Sequence, residues 1–159
     1  MLASAVDLLQ DTQAIVERAI ASFGVEPSAA RVKTDGLRVE GATYSLMRGS
    51  AHTFVSIVRR DDVVALRVVC PVMTVPDEAD RKSQLFQRLL ELNAGTVVGS
   101  AAFALSGDRV VVVSERPAVG LDADETTHVI KRASAVADTF DDRLVREFGG
   151  KRASDARSS

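Results

Sequence analysis

A chain of 159 residues and 17.0 kDa, 46% hydrophobic and 26% charged with mean hydropathy +0.07, has the size and composition of one compact globular domain and leaves little room for two. Lys and Arg number 20 against 22 Asp and Glu, a formal net charge of -2, so no global field favours a polyanion, and six Phe, one Tyr and no Trp offer little for base-stacking platforms. Neither nucleic acid nor a membrane is an expected partner: no apolar run approaches the ~20 residues of a spanning helix, no cleavable leader opens the chain, and the single cysteine, Cys70, cannot close an internal disulfide, which points to the cytoplasm.

Over residues 2–23, Leu2, Val6, Leu9, Val16, Ile20 and Phe23 recur at helical steps, which predicts an amphipathic first helix stopped by Gly24, with Pro27 and Ser28 in the loop beyond. The period then shortens. Leu37, Val39, Tyr44 and Leu46, followed by the runs 52–60 and 63–72, predict three strands joined by tight turns at Arg48-Gly49-Ser50 and Arg60-Asp61-Asp62. In the third, Val64, Leu66, Val68, Cys70 and Val72 share a parity and predict one continuously apolar face; in the first, the apolar parity switches around Gly41, which predicts a bulge or bend. Pro76 ends this segment, and Asp77 with Asp80 reads as an N-cap and first-turn carboxylate of a second helix carrying Leu85, Phe86, Leu89, Leu90 and Leu92, stopped by Asn93 and Gly95. Ala101, Phe103 and Leu105 alternate into Ser106-Gly107-Asp108 before Val110 to Val113 return, a hairpin signal. Asp122 and Glu125 have capping-box spacing ahead of a long third helix, with Val129, Ala133, Val136, Phe140, Leu144 and Phe148 on one stripe up to Gly149-Gly150. The expected architecture is α+β, an antiparallel sheet in the order α-β-β-β-α-β-β-α, with one domain over residues 1–150 and a disordered polar tail over 151–159.

Chemistry-bearing patterns are sparse. Of the two histidines, His52 falls in a strand and His128 in a helix, neither beside a nucleophile motif, and Cys70 lies in an apolar strand where burial raises a thiol pKa. One Cys and two distant His make no metal-ligand spacing, and the glycines make no phosphate-binding loop. The pairs Asp61-Asp62 and Asp141-Asp142 and the cluster Asp122, Asp124, Glu125 read as a solvated surface and a helix cap, and Arg31, Lys33, Arg38, Arg59 and Arg60 are interleaved with Asp35, Glu40, Asp61 and Asp62. No catalytic, cofactor-binding or metal residue is therefore assigned. What remains is apolar surplus on the second helix and just after it: Leu85, Phe86, Leu89, Leu90, Leu92, Val97 and Val98. Either all of it is internal core, or one side packs on the sheet and the other on a second copy across a two-fold axis.

The strings Val69-Cys70-Pro71-Val72, Leu85-Phe86-Gln87-Arg88-Leu89-Leu90-Glu91-Leu92-Asn93-Ala94 and Ala102-Phe103-Ala104-Leu105-Ser106-Gly107-Asp108, with Gly120-Leu121-Asp122 and Asp141-Asp142-Arg143-Leu144 toward the end, resemble the YbjN family, whose fold is shared with the class I type III secretion (Tir-chaperone-like) chaperones. The resemblance covers about residues 2–150. It implies a bacterial homodimer that holds an extended, partly unfolded client segment against apolar surface without ATP, and no catalytic residues. The alternative it leaves open is a regulatory or scaffold domain of the sensory-transduction-regulator type that binds a folded partner.

Overall fold

The computed structural model describes residues 4–33, 41–95 and 98–155. Leu2, Leu37, Arg38, Val39 and Val97, all used above, lie outside the described residues.

Helix α1 (Ala5–Ala21) opens with a capping box: the Asp7 amide donates to Ser4 Oγ at 3.2 Å while the Ser4 amide donates to Asp7 Oδ2 at 3.1 Å. Where a loop was expected, Pro27 opens a one-turn helix α2 (Pro27–Ala30), followed by a two-residue strand β1 (Arg31–Val32). Both are too short to show a period; the fixed φ of proline at the first helical position is the local cause of the turn. Strands β2 (Thr43–Arg48), β3 (Ala51–Arg60) and β4 (Val63–Thr74) follow, then α3 (Ala79–Ala94), the hairpin β5 (Ala102–Ser106) and β6 (Arg109–Pro117), and α4 (Ala123–Phe148). The sheet is six-stranded in the order β1-β2-β3-β4-β6-β5. Consecutive strands turn back through Gly49-Ser50, Asp61-Asp62 and Gly107-Asp108, and Asp61 takes the left-handed φ of 54° that such a tight hairpin requires. Strand β4 also runs antiparallel to β6, because the Ala118 amide meets Val64 O (2.9 Å) at one end and the Val75 amide meets Asp108 O (2.7 Å) at the other. The expected α+β antiparallel fold is thus present, with α2 and β1 added.

The part of the expected first strand at Leu37 and Val39 lies outside the described residues; β2 is described from Thr43, with the bend at Gly41. A Cβ there would lie 2.5 Å from Ile57 O, so glycine admits a close backbone approach that no side chain could accept.

The chain groups into two compact units: Met1–Leu46, Phe54–Val68 and Glu115–Lys131 in the first, Met47–Thr53, Val69–Ser114 and Arg132–Ser159 in the second. In the first, Val16, Ile20, Tyr44, Leu46, Val55, Ile57, Leu66 and Ile130 form the buried core. Tyr44 reaches it with a polar tip, its hydroxyl donating to Glu17 Oε1 at 2.6 Å; burial and then that carboxylate hold the phenol well above its ordinary pKa. In the second, Cys70, Val72, Leu85, Leu89, Phe103, Val110, Val112 and Phe140 are buried, and the Phe103 and Phe140 rings meet edge to face with centroids 5.5 Å apart.

Within the stretch expected as a polar tail, residues 151–153 lie against β4: the Thr74 amide donates to Lys151 O (2.8 Å), the Ala153 amide to Val72 O (3.0 Å), and Arg152 pairs antiparallel with Met73. The sequence hides this because an isolated bridge held by main-chain bonds has no side-chain pattern.

Candidate functional site

Helix α3 carries the apolar surplus, and the second unit divides it. Its start is one residue later than expected: Glu78, not Asp77, is the N-cap, makes no side-chain cap bond, and pairs instead with Arg81 at 2.9 Å. A carboxylate one methylene longer than Asp is a poor fit to the N-cap position. Leu85, Leu89 and Leu92 are 0%, 5% and 6% exposed and point into the unit's own core, as does Val98 after the helix. Phe86 is half-buried and Leu90 is 69% exposed, so the outward apolar side of α3 consists of these two residues.

Asn93, expected to stop the helix, sits inside its last turn and does something else. Its Nδ2 donates to Phe103 O at 3.0 Å, and its Oδ1 accepts from the Phe103 amide at 2.7 Å. Strand β5 is the terminal strand, with Phe103 opposite Val112 on β6, so these two Phe103 groups face away from β6. The carboxamide therefore occupies the position of a residue on a next strand, closing the β5 edge where it would otherwise invite another chain. The next residue of the same parity, Leu105, is 49% exposed. The helix stop is Gly95, whose amide bonds back to Glu91 O and Leu92 O.

Several polar groups among the described residues have structural partners. In the second unit Ser50 Oγ lies 2.6 Å from Asp138 Oδ1 and 2.8 Å from Asp141 Oδ2, and the Ser50 hydroxyl and amide together hold the Asp138 carboxyl below its usual range. This tie between the β2–β3 turn and α4 has no signal in the sequence, because its members are 88 residues apart or more. In the first unit Arg60 and Arg67 converge on Glu115 at 2.7 and 2.6 Å. Burial alone raises Glu115, but the two guanidiniums outweigh it and its pKa lies below the ordinary value. Cys70 is fully buried, donates to Thr53 Oγ1 at 3.4 Å, and its thiol is pushed up to about 11 by burial, which disfavours the thiolate at neutral pH. Among the described residues no three His, Cys, Asp or Glu side chains gather as a metal site, and no helix is long and apolar enough to cross a membrane.

Three solved structures share this fold. The ExsC-ExsE complex contains a chain that superposes with TM-score 0.60 at 12% identity, covering 86% of this chain and 96% of that one. The heterodimeric ExoU-SpcU complex of the type III secretion system of Pseudomonas aeruginosa gives TM-score 0.54 at 15% identity, covering 83% and 96%, and the HopA1-SchA chaperone-effector complex gives 0.54 at 12%, covering 82% and 92%. No curated protein matches. The family model described as T3SS (YopN, CesT) and YbjN peptide-binding chaperone 1 matches residues 10–156, from α1 to the segment beyond α4, and by that match the chain belongs to this peptide-binding chaperone family.

Proposed function

We propose that this chain is a non-enzymatic, chaperone-like binding module of the cytoplasm that works as a homodimer and holds an extended or partly unfolded segment of a partner protein. The observation that carries the reading is the match of residues 10–156 to a family of peptide-binding chaperones. The buried Cys70 agrees with it. For the dimer we assign the outer side of α3, with Phe86 and Leu90 in contact and Leu85, Leu89, Leu92 and Val98 supporting them from beneath; Val97 belongs to the same stretch of sequence. Covering apolar area at such a contact is worth ~25 cal/mol per Å² before the cost of association.

The test has two arms. Light scattering at micromolar concentrations should give twice 17.0 kDa for the unmodified chain and 17.0 kDa for Leu90→Asp, with unchanged helix content because Leu90 is exposed. A monomeric unmodified chain removes the dimer. For the client, crosslinks from affinity-purified complexes should fall on partner segments that exchange amide hydrogens freely when unbound; crosslinks confined to a folded domain would replace the reading with that of a scaffold.

A further inference from the structure

At the end of α4 the chain reverses through Gly149 and Gly150, both left-handed at φ 83° and 82°. A Cβ on Gly150 would lie 2.4 Å from Thr74 O, a backbone atom with no freedom to retreat, so only glycine passes this point. Residues 151–153 then lie against the last three residues of β4. The Val75 amide points toward β6, where it meets Asp108 O, so the Thr74 amide points to the opposite side, the one along which β3 runs; there Lys151 O accepts it at 2.8 Å. Lys151 N donates to Thr74 Oγ1 at 3.0 Å, and Arg152 reaches Asp142 on α4 and Asp155, both at 2.9 Å. Met73, opposite Arg152, is 1% exposed.

The segment is a guest with a weak grip. Its main-chain bonds read no side chain. Of its ion pairs only Arg152 with Asp142 reaches beyond the segment; it joins groups 35% and 60% exposed, a class worth about 0–1 kcal/mol, while Arg152 with Asp155 lies within the segment itself. Ser154 Oγ is buried with no hydrogen-bond partner among the described residues, which works against the seated state.

We propose that the end of β4, residues 72–74, is a strand-addition site for an extended basic segment of a partner protein, and that residues 151–155 are a strap that occupies it until such a segment displaces them. The chemistry of the occupant defines the partner: a main chain that pairs antiparallel with Val72 and Thr74, glycine where Gly150 passes Thr74 O, and an Arg or Lys two residues later to meet Asp142, followed by a small residue. A strap of the same chain competes at high effective concentration, so its release raises the apparent affinity of the partner. The proposal rests on the peptide-binding reading and locates one of its sites.

The probe is a labelled peptide of sequence Gly-Gly-Lys-Arg-Ala-Ser-Asp, residues 149–155 of this chain, titrated by fluorescence anisotropy into the full chain and two full-length variants. Gly150→Val drives the strap off by steric conflict, and Arg152→Glu by repulsion from Asp142 and Asp155. Both should speed amide exchange at Thr74 and Ala153 and lower the half-saturating concentration at least fivefold, while a peptide with Glu for Arg should not bind. Strap release without tighter peptide binding overturns the proposal, and so does a strap that neither variant releases. A chain that ignores the peptide yet crosslinks to unfolded client segments loses the strap and keeps the chaperone reading; one that binds the peptide and engages no client does the reverse.

Discussion

Asn93 shows how one side chain can settle the fate of a sheet edge. Its carboxamide supplies one donor and one acceptor to the same residue, Phe103, as a neighbouring strand would. Asn93→Ala removes both and leaves two main-chain groups of β5 in a half-buried position. That costs about 1–3 kcal/mol, or roughly 2–4 °C of Tm per kcal/mol for a chain this long. The Phe103 amide should also lose protection from exchange, and the opened edge should promote concentration-dependent association. Unchanged Phe103 exchange in a folded Asn93→Ala chain would show that the pair is incidental. None of this was legible beforehand: asparagine near a helix end reads as a stop, and its actual partner is backbone, which carries no sequence signature. Cys70 is the opposite case. Its place in an alternating apolar run announced burial, and the structure puts it at 0% exposure.

At the scale of elements, legibility followed length. The stripes of α1, α3 and α4 and the alternation of β4 span several periods, and the hairpin turns are marked by Gly49, Asp61 and Gly107. The one-turn α2, the two-residue β1 and the strap are shorter than one clear period and escaped detection. The apolar surplus on α3 is visible in the sequence, but its division into an inward set and the pair Phe86 and Leu90 depends on how the helix is rotated against its neighbours. Helix starts give a sharper contrast. Asp122 Oδ1 accepts from the Glu125 amide at 2.7 Å, the bond its spacing predicted, whereas Glu78 caps nothing with its side chain. Asp122→Ala should therefore destabilise the chain by about 1 kcal/mol, and Asp122→Asn should recover most of it. Glu78→Ser should stabilise by about 0.5–1 kcal/mol, less the small loss of the exposed pair with Arg81. Urea midpoints for the three variants check the order; a loss at Glu78→Ser as large as that at Asp122→Ala would contradict the geometry.

For the molecule as a whole, the titrating groups set a stability plateau with two different shoulders. Glu115 and Asp138 have pKa values held below their ordinary 4.5 and 3.8, so the folded state favours their charged forms more than the unfolded state does. Their contribution is fully present above those ordinary values and is lost as pH falls through the depressed ones. Cys70 works with the opposite sign. Its thiol ordinarily titrates at 9.0 and is pushed up to about 11, so folding suppresses an ionisation that the unfolded chain makes freely. Stability is unaffected below pH 9.0, falls between there and about 11, and stays lower above. Tyr44, raised from 10.0, extends the decline to still higher pH. The urea midpoint should therefore be flat from about pH 5 to 8 and fall on both sides. The two limbs have separate owners. Asp138→Asn keeps the Ser50 contacts without a titrating charge and should make the acid limb shallower while leaving the alkaline limb alone; Cys70→Ala should lower the whole curve through the lost packing but flatten the segment between pH 9 and 11. An alkaline limb of undiminished slope in Cys70→Ala would assign that decline to other groups, with Tyr44 and its bond to Glu17 the first to test.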